Sequence, residues 1–147
     1  MESSQESAKK NPKKPRVAVV SALLRHNERF LILERSQQVG SFQGYWSCVS
    51  GYLENGEEPK ETAIREVEEE VGIVKDRLTL AGQVGPNVFE KEKVVFEAYW
   101  FLFDSSQSQV RIDWEHDQFE WVSRKELENY KLVPWFSDLI GRLTGLQ

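Results

Sequence analysis

The segment GYLENGEEPKETAIREVEEEVGI, which runs from Gly51 to Ile73, has the most informative pattern of this chain. Its second half predicts a helix over about Pro59–Val71, because proline suits a first helical turn and Gly72 suits a C-terminal stop. The 3.6-residue period of a helix gathers an apolar stripe on one side, made of Ala63, Ile64, Val67 and Val71. We therefore expect this helix to pack against a core.

Three glutamates of the same helix stand on a different side from the apolar stripe. Glu66, Glu69 and Glu70 occupy positions i, i+3 and i+4, where like charges repel by roughly a few tenths of a kcal/mol per pair. Carboxylates near a helix C-terminus also oppose its dipole. Clustered carboxylate oxygens are ligands that Mg²⁺ and Mn²⁺ accept, so a divalent cation would offset the repulsion. The pattern predicts a metal site, and the alternative is a solvated acidic face.

The segments around this helix predict strands and two further helices. Strands are expected at residues 17–24, 29–34, 46–49, 78–84, 93–103 and 118–122. A capping box at Ser123 and Glu126 predicts a helix over 124–129, and an amphipathic helix follows Pro134. The order of elements predicts an α/β or α+β fold in which helices cover a mixed β-sheet.

The composition is that of one globular domain. The chain has 147 residues, of which 39% are hydrophobic, and its formal net charge is −5. The lone Cys48 cannot form an internal disulfide, which favours a reducing compartment. No apolar run approaches the roughly 18–20 residues that span a bilayer, and the N-terminus lacks the apolar region of a secretory signal. We therefore expect a cytoplasmic protein without membrane contact.

Residues 1–15 differ from the rest of the chain. They are polar, contain two prolines and carry a charge of +2, so the rest carries −7, since the whole chain carries −5. This composition predicts a disordered basic tail at 1–15 before a domain at 16–147; the alternative is a basic arm that touches phosphate. The acidic body argues against broad electrostatic binding to nucleic acid.

The spacing within the acidic segment resembles the Nudix box at every defined position. Five residues separate Gly51 from Glu57, seven more lead to Arg65 and Glu66, and the pattern closes with Glu69, Glu70, Gly72 and Ile73. The order of strands around the box is similar to that of a Nudix domain over about residues 16–143. One departure is Ser50, which precedes Gly51 where many relatives have glycine.

The resemblance implies a fold, a reaction and a set of ligands. The fold would be an α/β/α sandwich with a mixed sheet, and the reaction would be Mg²⁺-dependent hydrolysis of a nucleoside diphosphate linked to another group, with Mn²⁺ as a second candidate metal. Glu66, Glu69 and Glu70 would be the metal ligands, with the carbonyl of Gly51 or Ser50 as a further oxygen.

The resemblance also implies residues that support the site. Arg65 would pair with Glu57 and hold the loop against the helix. Gly51 and Gly56 would give the loop its backbone freedom, and Gly72 would support the site as the C-terminal stop of the helix. Bound cations neutralise phosphate oxygens and lower the pKa of the attacking water.

The resemblance implies a general base that is either a glutamate of the box or a carboxylate from a later loop. The run WEHDQFEW from Trp114 to Trp121 resembles the Glu-His-x-x-x-x-Trp run of the nucleoside-triphosphate and dinucleoside-polyphosphate branches. Glu115 is therefore our candidate for a base or additional metal ligand; a plain surface carboxylate is the alternative, and the competing bases are Glu97, Glu120 and Glu66. We expect His116 to be structural.

The substrate contacts are less defined by the sequence. Arg35 ends the second strand and could meet a phosphate or cap the sheet, and Phe42 and Tyr45 lie in a loop where their rings could stack on a base. Phe89 and Trp114 are weaker candidates of the same kind. The other large aromatic side chains are expected in the core, and they are Trp46, Trp100, Trp121 and Trp135.

Three functions remain open at this point. The favoured one is hydrolysis of a small nucleotide such as a nucleoside triphosphate, a dinucleoside polyphosphate or ADP-ribose. The second is removal of a cap or triphosphate from RNA 5′ ends, guided by the basic tail. The third is a nucleotide-binding regulator without catalysis, for which a broken box would be typical, whereas this box is intact. Monomer and homodimer are both compatible with the sequence.

Overall fold

The structure is a computed structural model that describes residues 14–145. The predicted tail at residues 1–15 therefore lies almost wholly outside the described residues. Where the description begins, Lys14 forms an ion pair with Glu90 at 2.6 Å, and the carbonyl of Pro15 accepts a hydrogen bond from Val95 N–H.

Seven strands, two α-helices and two 3₁₀ helices make up the described chain. In chain order they are β1 (Arg16–His26), β2 (Arg29–Arg35), β3 (Trp46–Ser47), β4 (Val49–Tyr52), α1 (Pro59–Val71), a 3₁₀ helix (Lys75–Arg77), β5 (Leu78–Lys91), β6 (Val94–Ser105), β7 (His116–Val122), a second 3₁₀ helix (Lys125–Asn129) and α2 (Phe136–Thr144). None of the helices among residues 14–145 is long and apolar enough to cross a membrane.

The strands form one mixed sheet centred on β1. Strand β1 runs parallel to β6, and on its other side it pairs with β4 through Val19–Ala22 and with β2 near the turn at Asn27. Strands β3 and β7 both pair antiparallel with β2, and β5 lies outside β6. Because β1 changes partner along its length, the sheet opens between β4 and β2.

Each face of the sheet is covered by one helix, which confirms the predicted sandwich with a mixed sheet. Helix α1 packs through Ala63, Val67 and Val71 on a cluster that includes Leu24 and Phe103. Helix α2 packs on the opposite face through a second cluster, whose members include Phe136, Leu139, Ile140, Leu23, Trp100 and Leu102. Alternation of side chains along β1 and β6 supplies both clusters from the same strands.

Three predicted elements differ from the structure. Strand β5 continues to Lys91, beyond the predicted end at residue 84. It passes through Pro86 because β5 is an edge strand, where a residue without an N–H is tolerated, and the register shifts between Val84 and Asn87. The strand predicted at 46–49 divides into β3 and β4, which pair with different neighbours.

The third difference is the helix predicted over 124–129, which is a 3₁₀ helix at Lys125–Asn129. The capping box itself is present, because Ser123 N–H donates to Glu126 Oε1 and Glu126 N–H donates to Ser123 Oγ. Trp135, expected in the core, is 39% exposed. It is the N-cap residue of α2, and the first residue of the helix, Phe136, takes the buried position instead.

We expect Leu139→Ala to lower the free energy of unfolding by about 2–5 kcal/mol, because Leu139 is fully buried between α2 and the sheet. Ser137→Ala, a change at an exposed position of the same helix, is the control and should stay within about 0.5 kcal/mol. Urea unfolding followed by tryptophan fluorescence measures both. Equal stability of the two variants would show that α2 is not packed as described.

Candidate active site

Helix α1 presents its three predicted glutamates to three different environments. Glu69 is exposed and Glu66 is half-buried, but Glu70 is only 2% exposed. The reason is its place in the sequence, since Glu70 directly precedes Val71 and follows Val67 by three residues, so it lies at the margin of the apolar stripe. Packing of that stripe on the sheet carries the carboxyl group inward.

The buried carboxyl group of Glu70 meets the first residue of β7. Glu70 Oε1 lies 2.9 Å from His116 Nε2, and the two side chains are 2% and 4% exposed. The other oxygen, Oε2, has no hydrogen-bond partner within the described part of the chain. A ligand atom of Glu115 completes a group in which the three side chains approach within 4.8 Å of one another.

The electrostatics of this group favour a bound cation. Burial raises the pKa of Glu70 to about 11, and the nearby carboxylates of Glu66 and Glu115 add to the effect. Burial also raises the pKa of Glu115, with a further contribution from Asp113. Burial lowers the pKa of His116 to about 4, so this ring is neutral at physiological pH and supplies no compensating charge.

The residues present fit a divalent cation. With a pKa of about 11, Glu70 holds a proton at neutral pH when no cation is bound, and its buried Oε2 has no hydrogen-bond partner among the described residues. A buried polar atom without a partner typically costs about 1–3 kcal/mol. A metal ion bound to Oε2 would displace the proton and remove that cost. Oxygen-rich donor sets of this kind suit Mg²⁺ or Mn²⁺. The half-buried Glu66 lies close enough to raise the pKa of Glu70, which brings a second predicted ligand to the same place.

Arg65 occupies the other side of the glutamate cluster. Its Nε and Nη2 donate to the two oxygens of Glu57 at 2.9 and 3.0 Å, so the expected pair is present as a bidentate contact. Its Nη1 donates to Glu66 and Glu69 at 3.1 and 3.2 Å. Its Nη2 also lies 3.7 Å from Glu54 Oε1, so one guanidinium supplies the positive charge for four carboxylates.

The Arg65 contact changes the acid–base properties of Glu57. The hydrogen bonds from Arg65, and then that from Thr62 Oγ1, lower the pKa of Glu57 to about 2. The hydrogen bonds to Glu57 and then to Glu69 raise the pKa of Arg65 above its ordinary value. The loop that precedes α1 is thus fixed to the helix by a permanently charged pair.

The structure explains why two positions of the box, 51 and 72, are occupied by glycine. A methyl group built on Gly51 would come within 2.6 Å of Glu66 Oε1, so the carboxyl group of Glu66 packs directly on the backbone of β4. Gly72 ends α1 with φ of 73°, and its N–H donates to the carbonyl of Glu68. Gly51 thereby brings β4 and the glutamate helix into contact.

The predicted residues outside the box lie in two places. Glu115 lies beside Glu70, and Arg35 is near enough to lower the pKa of His116 and to act on Glu115. The Arg35 guanidinium is oriented by a bond from Nε to the carbonyl of Ser41.

Phe42 and Tyr45 form an aromatic group with Trp135. The Phe42 ring meets those of Tyr45 and Trp135 edge to face, and Lys131 Nζ lies 4.3 Å from the centre of the Tyr45 ring. Both residues pack against the core cluster under α2, and their part in substrate binding stays a prediction.

The competing bases are placed differently. Glu97 is bound by Arg16. Glu120 pairs across the sheet with Ile32, whose side chain belongs to the cluster under α2, so Glu120 points to the face opposite α1. Unlike Glu97 and Glu120, Glu115 has its carboxylate next to Glu70 and His116.

Two contacts of the site were not predicted from the sequence. The first is made by Asp113 to Glu115, and the second is made by His116 to Glu70. Asp113 Oδ1 accepts a hydrogen bond from Glu115 N–H, and burial raises the pKa of Asp113. The density of acidic residues between Asp113 and Asp117 was a signal for the first. No local signal marks the second, because His116 meets Glu70 across 46 positions of sequence.

A family model described as the NUDIX domain matches residues 14–143, so the chain belongs to this family. The nucleoside triphosphatase NudI of Escherichia coli is 26% identical, with 78% of this chain and 86% of that protein covered. The MutT protein of Methanosarcina mazei Go1 is 33% identical over 88% of this chain and 94% of that one, with a TM-score of 0.68.

A third relative is longer than this chain. An octanoyltransferase of Myxococcus xanthus is 30% identical over 64% of this chain, and the match covers 26% of that protein's length. Family and fold together make this chain an enzyme of the Nudix pyrophosphohydrolase class.

We expect Gly51→Ala to displace the Glu66 carboxyl group and to weaken Mn²⁺ binding by about tenfold or more. The stability of the metal-free protein should change little, because the obstructing atoms belong to the flexible end of a side chain. Isothermal titration and thermal unfolding in EDTA measure the two effects. Gly40→Ala, at a glycine with open space around it, is the control; equal Mn²⁺ affinity in the two variants would contradict the packing role of Gly51.

We expect the Glu57–Arg65 pair to make stability depend on pH in the acidic range. Because the folded-state pKa of Glu57 is about 2 and its ordinary value is 4.5, the pair stabilises the fold above pH 4.5 and loses this contribution as the pH falls toward 2. The stability difference between the wild type and Glu57→Gln, measured in EDTA, should therefore narrow from about pH 5 to about pH 2. Glu58→Gln, at an exposed neighbour, should show no such narrowing, and a constant Glu57→Gln difference would exclude the mechanism.

Proposed function

We propose that this chain hydrolyses a diphosphate linkage in a small nucleotide, a nucleoside triphosphate foremost, with Mg²⁺ as the metal and Mn²⁺ as an effective substitute. The observation that carries the proposal is the buried Glu70 Oε2, which has no hydrogen-bond partner among residues 14–145 and lies on the same helix as Glu66 and Glu69. The name of the NudI relative, a nucleoside triphosphatase, supports the choice of substrate class.

The metal-binding part of the proposal assigns Glu70, Glu66 and Glu69 as carboxylate ligands and the Gly51 carbonyl as a further oxygen. When bound, the metal would neutralise phosphate oxygens and lower the pKa of the attacking water. Glu66 and Glu69 would exchange hydrogen bonds from Arg65 for the metal, and Arg65 would remain paired with Glu57. Because the Arg65–Glu57 pair would persist, the loop and the helix would keep the same relative position with and without the metal.

Glu115 is the proposed general base. Its carboxylate lies beside Glu70, and its raised pKa favours acceptance of a proton from water relative to an ordinary exposed glutamate. Asp113 holds the backbone of Glu115 through the N–H bond. The two neighbouring carboxyl groups differ in burial, and the proposal assigns them different roles. Glu70 is a metal ligand, and Glu115 accepts the proton.

Arg35 and exposed rings complete the proposal on the substrate side. Arg35 brings a positive charge next to Glu115 and would pair with a phosphate of the nucleotide. Trp114 is 59% exposed directly before Glu115, and we assign its ring to stacking on a nucleobase. The half-buried rings of Phe42 and Tyr45 pack on the cluster under α2 and are the second candidates. A cytoplasmic location belongs to the same proposal, since the single Cys48 is a free buried thiol.

A substrate panel with Mg²⁺ tests the reaction. Nucleoside triphosphates, dinucleoside polyphosphates, ADP-ribose and triphosphate-ended RNA are compared, and the products are separated into phosphate, pyrophosphate and nucleoside monophosphate. Our proposal predicts highest kcat/KM for nucleoside triphosphates, with oxygen-18 from water in one phosphorus product. Preference for ADP-ribose or RNA ends would contradict the substrate class while leaving the reaction class intact.

Two neighbouring glutamates of α1 provide a matched pair of variants. We expect Glu69→Gln to reduce kcat/KM by more than about 100-fold. Loss of a direct metal ligand should exceed the roughly 10–100-fold effect of losing a residue that only holds a ligand in place. Glu68→Gln, one position earlier and exposed, should keep nearly full activity because its side chain points away from the glutamate cluster. Similar activity in the two variants would remove Glu69 from the metal site.

A further inference from the structure

We propose that His116 is a positioning residue of the metal site, because its Nε2–H donates to Glu70 Oε1 and leaves Oε2 directed toward the cation. This inference rests on the proposed function and adds to it a residue that lies outside the box. The distance of 2.9 Å between Nε2 and Oε1 is that of a good hydrogen bond to a carboxylate.

The position of the His116 ring is set by the sheet. Strand β7 pairs with β2 in regular register from Val122 to Gln118, and a β-bulge between Glu34 and Arg35 then shifts the pairing so that Arg35 faces His116. Without this shift His116 would share the face of Gln118 and Glu120, opposite α1. The bulge turns the imidazole toward α1 and Glu70, as bulges beside active sites commonly re-aim a side chain.

The segment that leads into β7 is held by hydrogen bonds on both sides. Ser36 Oγ donates to the carbonyl of Trp114, and Ser36 N–H donates to the carbonyl of Glu115. The N–H of His116 donates to the carbonyl of Asp113. The backbone that carries the ring is therefore fixed independently of Glu70, which is what a positioning residue requires.

Stability alone does not account for the Glu70–His116 pair. Each partner keeps one buried polar atom, Oε2 and Nδ1, without a hydrogen-bond partner in the described chain. Buried polar pairs in native proteins are normally satisfied at both ends, and apolar residues of similar volume would often be at least as stable. The arrangement makes physical sense when Oε2 is needed by a ligand and Oε1 must be held.

The geometry of the ring suits this role. His116 Nε2 lies 2.9 Å from Glu70 Oε1, and an imidazole that carries its proton on Nε2 donates to this oxygen. The hydrogen bond fixes the rotation of the carboxyl group. Oε2 is then left without a partner among the described residues.

Two substitutions of His116 separate positioning from packing. His116→Leu removes the donor and keeps an apolar side chain in the core, whereas His116→Gln offers an amide N–H at a similar reach. His26→Gln, at the other histidine of the chain and bonded through Nδ1 to the Ser105 carbonyl, is the matched control. Glu69→Gln serves as the reference for damage to the metal site itself.

Mn²⁺ affinity of the purified full chain, measured by isothermal titration, is the first readout. We expect His116→Leu to weaken it by about 10–100-fold, the usual range for residues that hold a ligand, and His116→Gln to restore it to within about threefold. At saturating Mg²⁺, kcat for a nucleoside triphosphate should fall in His116→Leu with KM little changed. Unfolding in EDTA should show His116→Leu to be no less stable than the wild type.

The outcomes distinguish this inference from the proposed function. If Glu69→Gln weakens Mn²⁺ binding and His116→Leu does not, His116 has no positioning role. If His116→Gln loses as much affinity as His116→Leu, the hydrogen bond is not the cause and the inference is again overturned. If neither Glu69→Gln nor His116→Leu changes Mn²⁺ affinity, the metal site is wrongly placed and the proposed function fails with it.

Discussion

The carboxyl group of Glu70 is buried between helix α1 and strand β7 with one oxygen bonded and the other unbonded within residues 14–145. Helix α1 must bury this group in order to bury Val67 and Val71. The packing of the core and the position of the site therefore depend on each other. Any rotation of α1 that exposed Glu70 to water would also expose the apolar stripe of α1.

Positive charge around the site is arranged to leave room for a metal. Arg65 satisfies Glu57, Glu66 and Glu69 from the outer side, and the lowered pKa of Glu57 keeps this pair charged at any physiological pH. The inner side has a neutral imidazole instead, and Arg35 acts on it from a distance. A divalent cation entering between the two sides would meet carboxylates that are fixed by the fold and partly unsatisfied.

The sequence predicted the parts of the site that depend on local spacing. The bounds of α1 agree with the expected Pro59–Val71, and the Glu57–Arg65 pair lies eight residues apart on a loop and helix. Glu70 was expected with Glu66 and Glu69 on a polar side, because helical periodicity cannot show that a neighbouring strand covers one of them. His116 depends on a register shift in β2 and β7, which is a property of long-range pairing and has no signature in either segment alone. The extension of β5 beyond Pro86 depends likewise on its edge position.

Anomalous diffraction from crystals of this protein grown with Mn²⁺ would show whether Glu70 holds the metal. We expect a manganese peak within coordination distance of Glu70 Oε2 and of at least one oxygen of Glu66 or Glu69, with His116 Nε2 still bonded to Glu70 Oε1. Manganese bound only at exposed carboxylates, with Glu70 Oε2 bonded to protein or solvent instead, would contradict it.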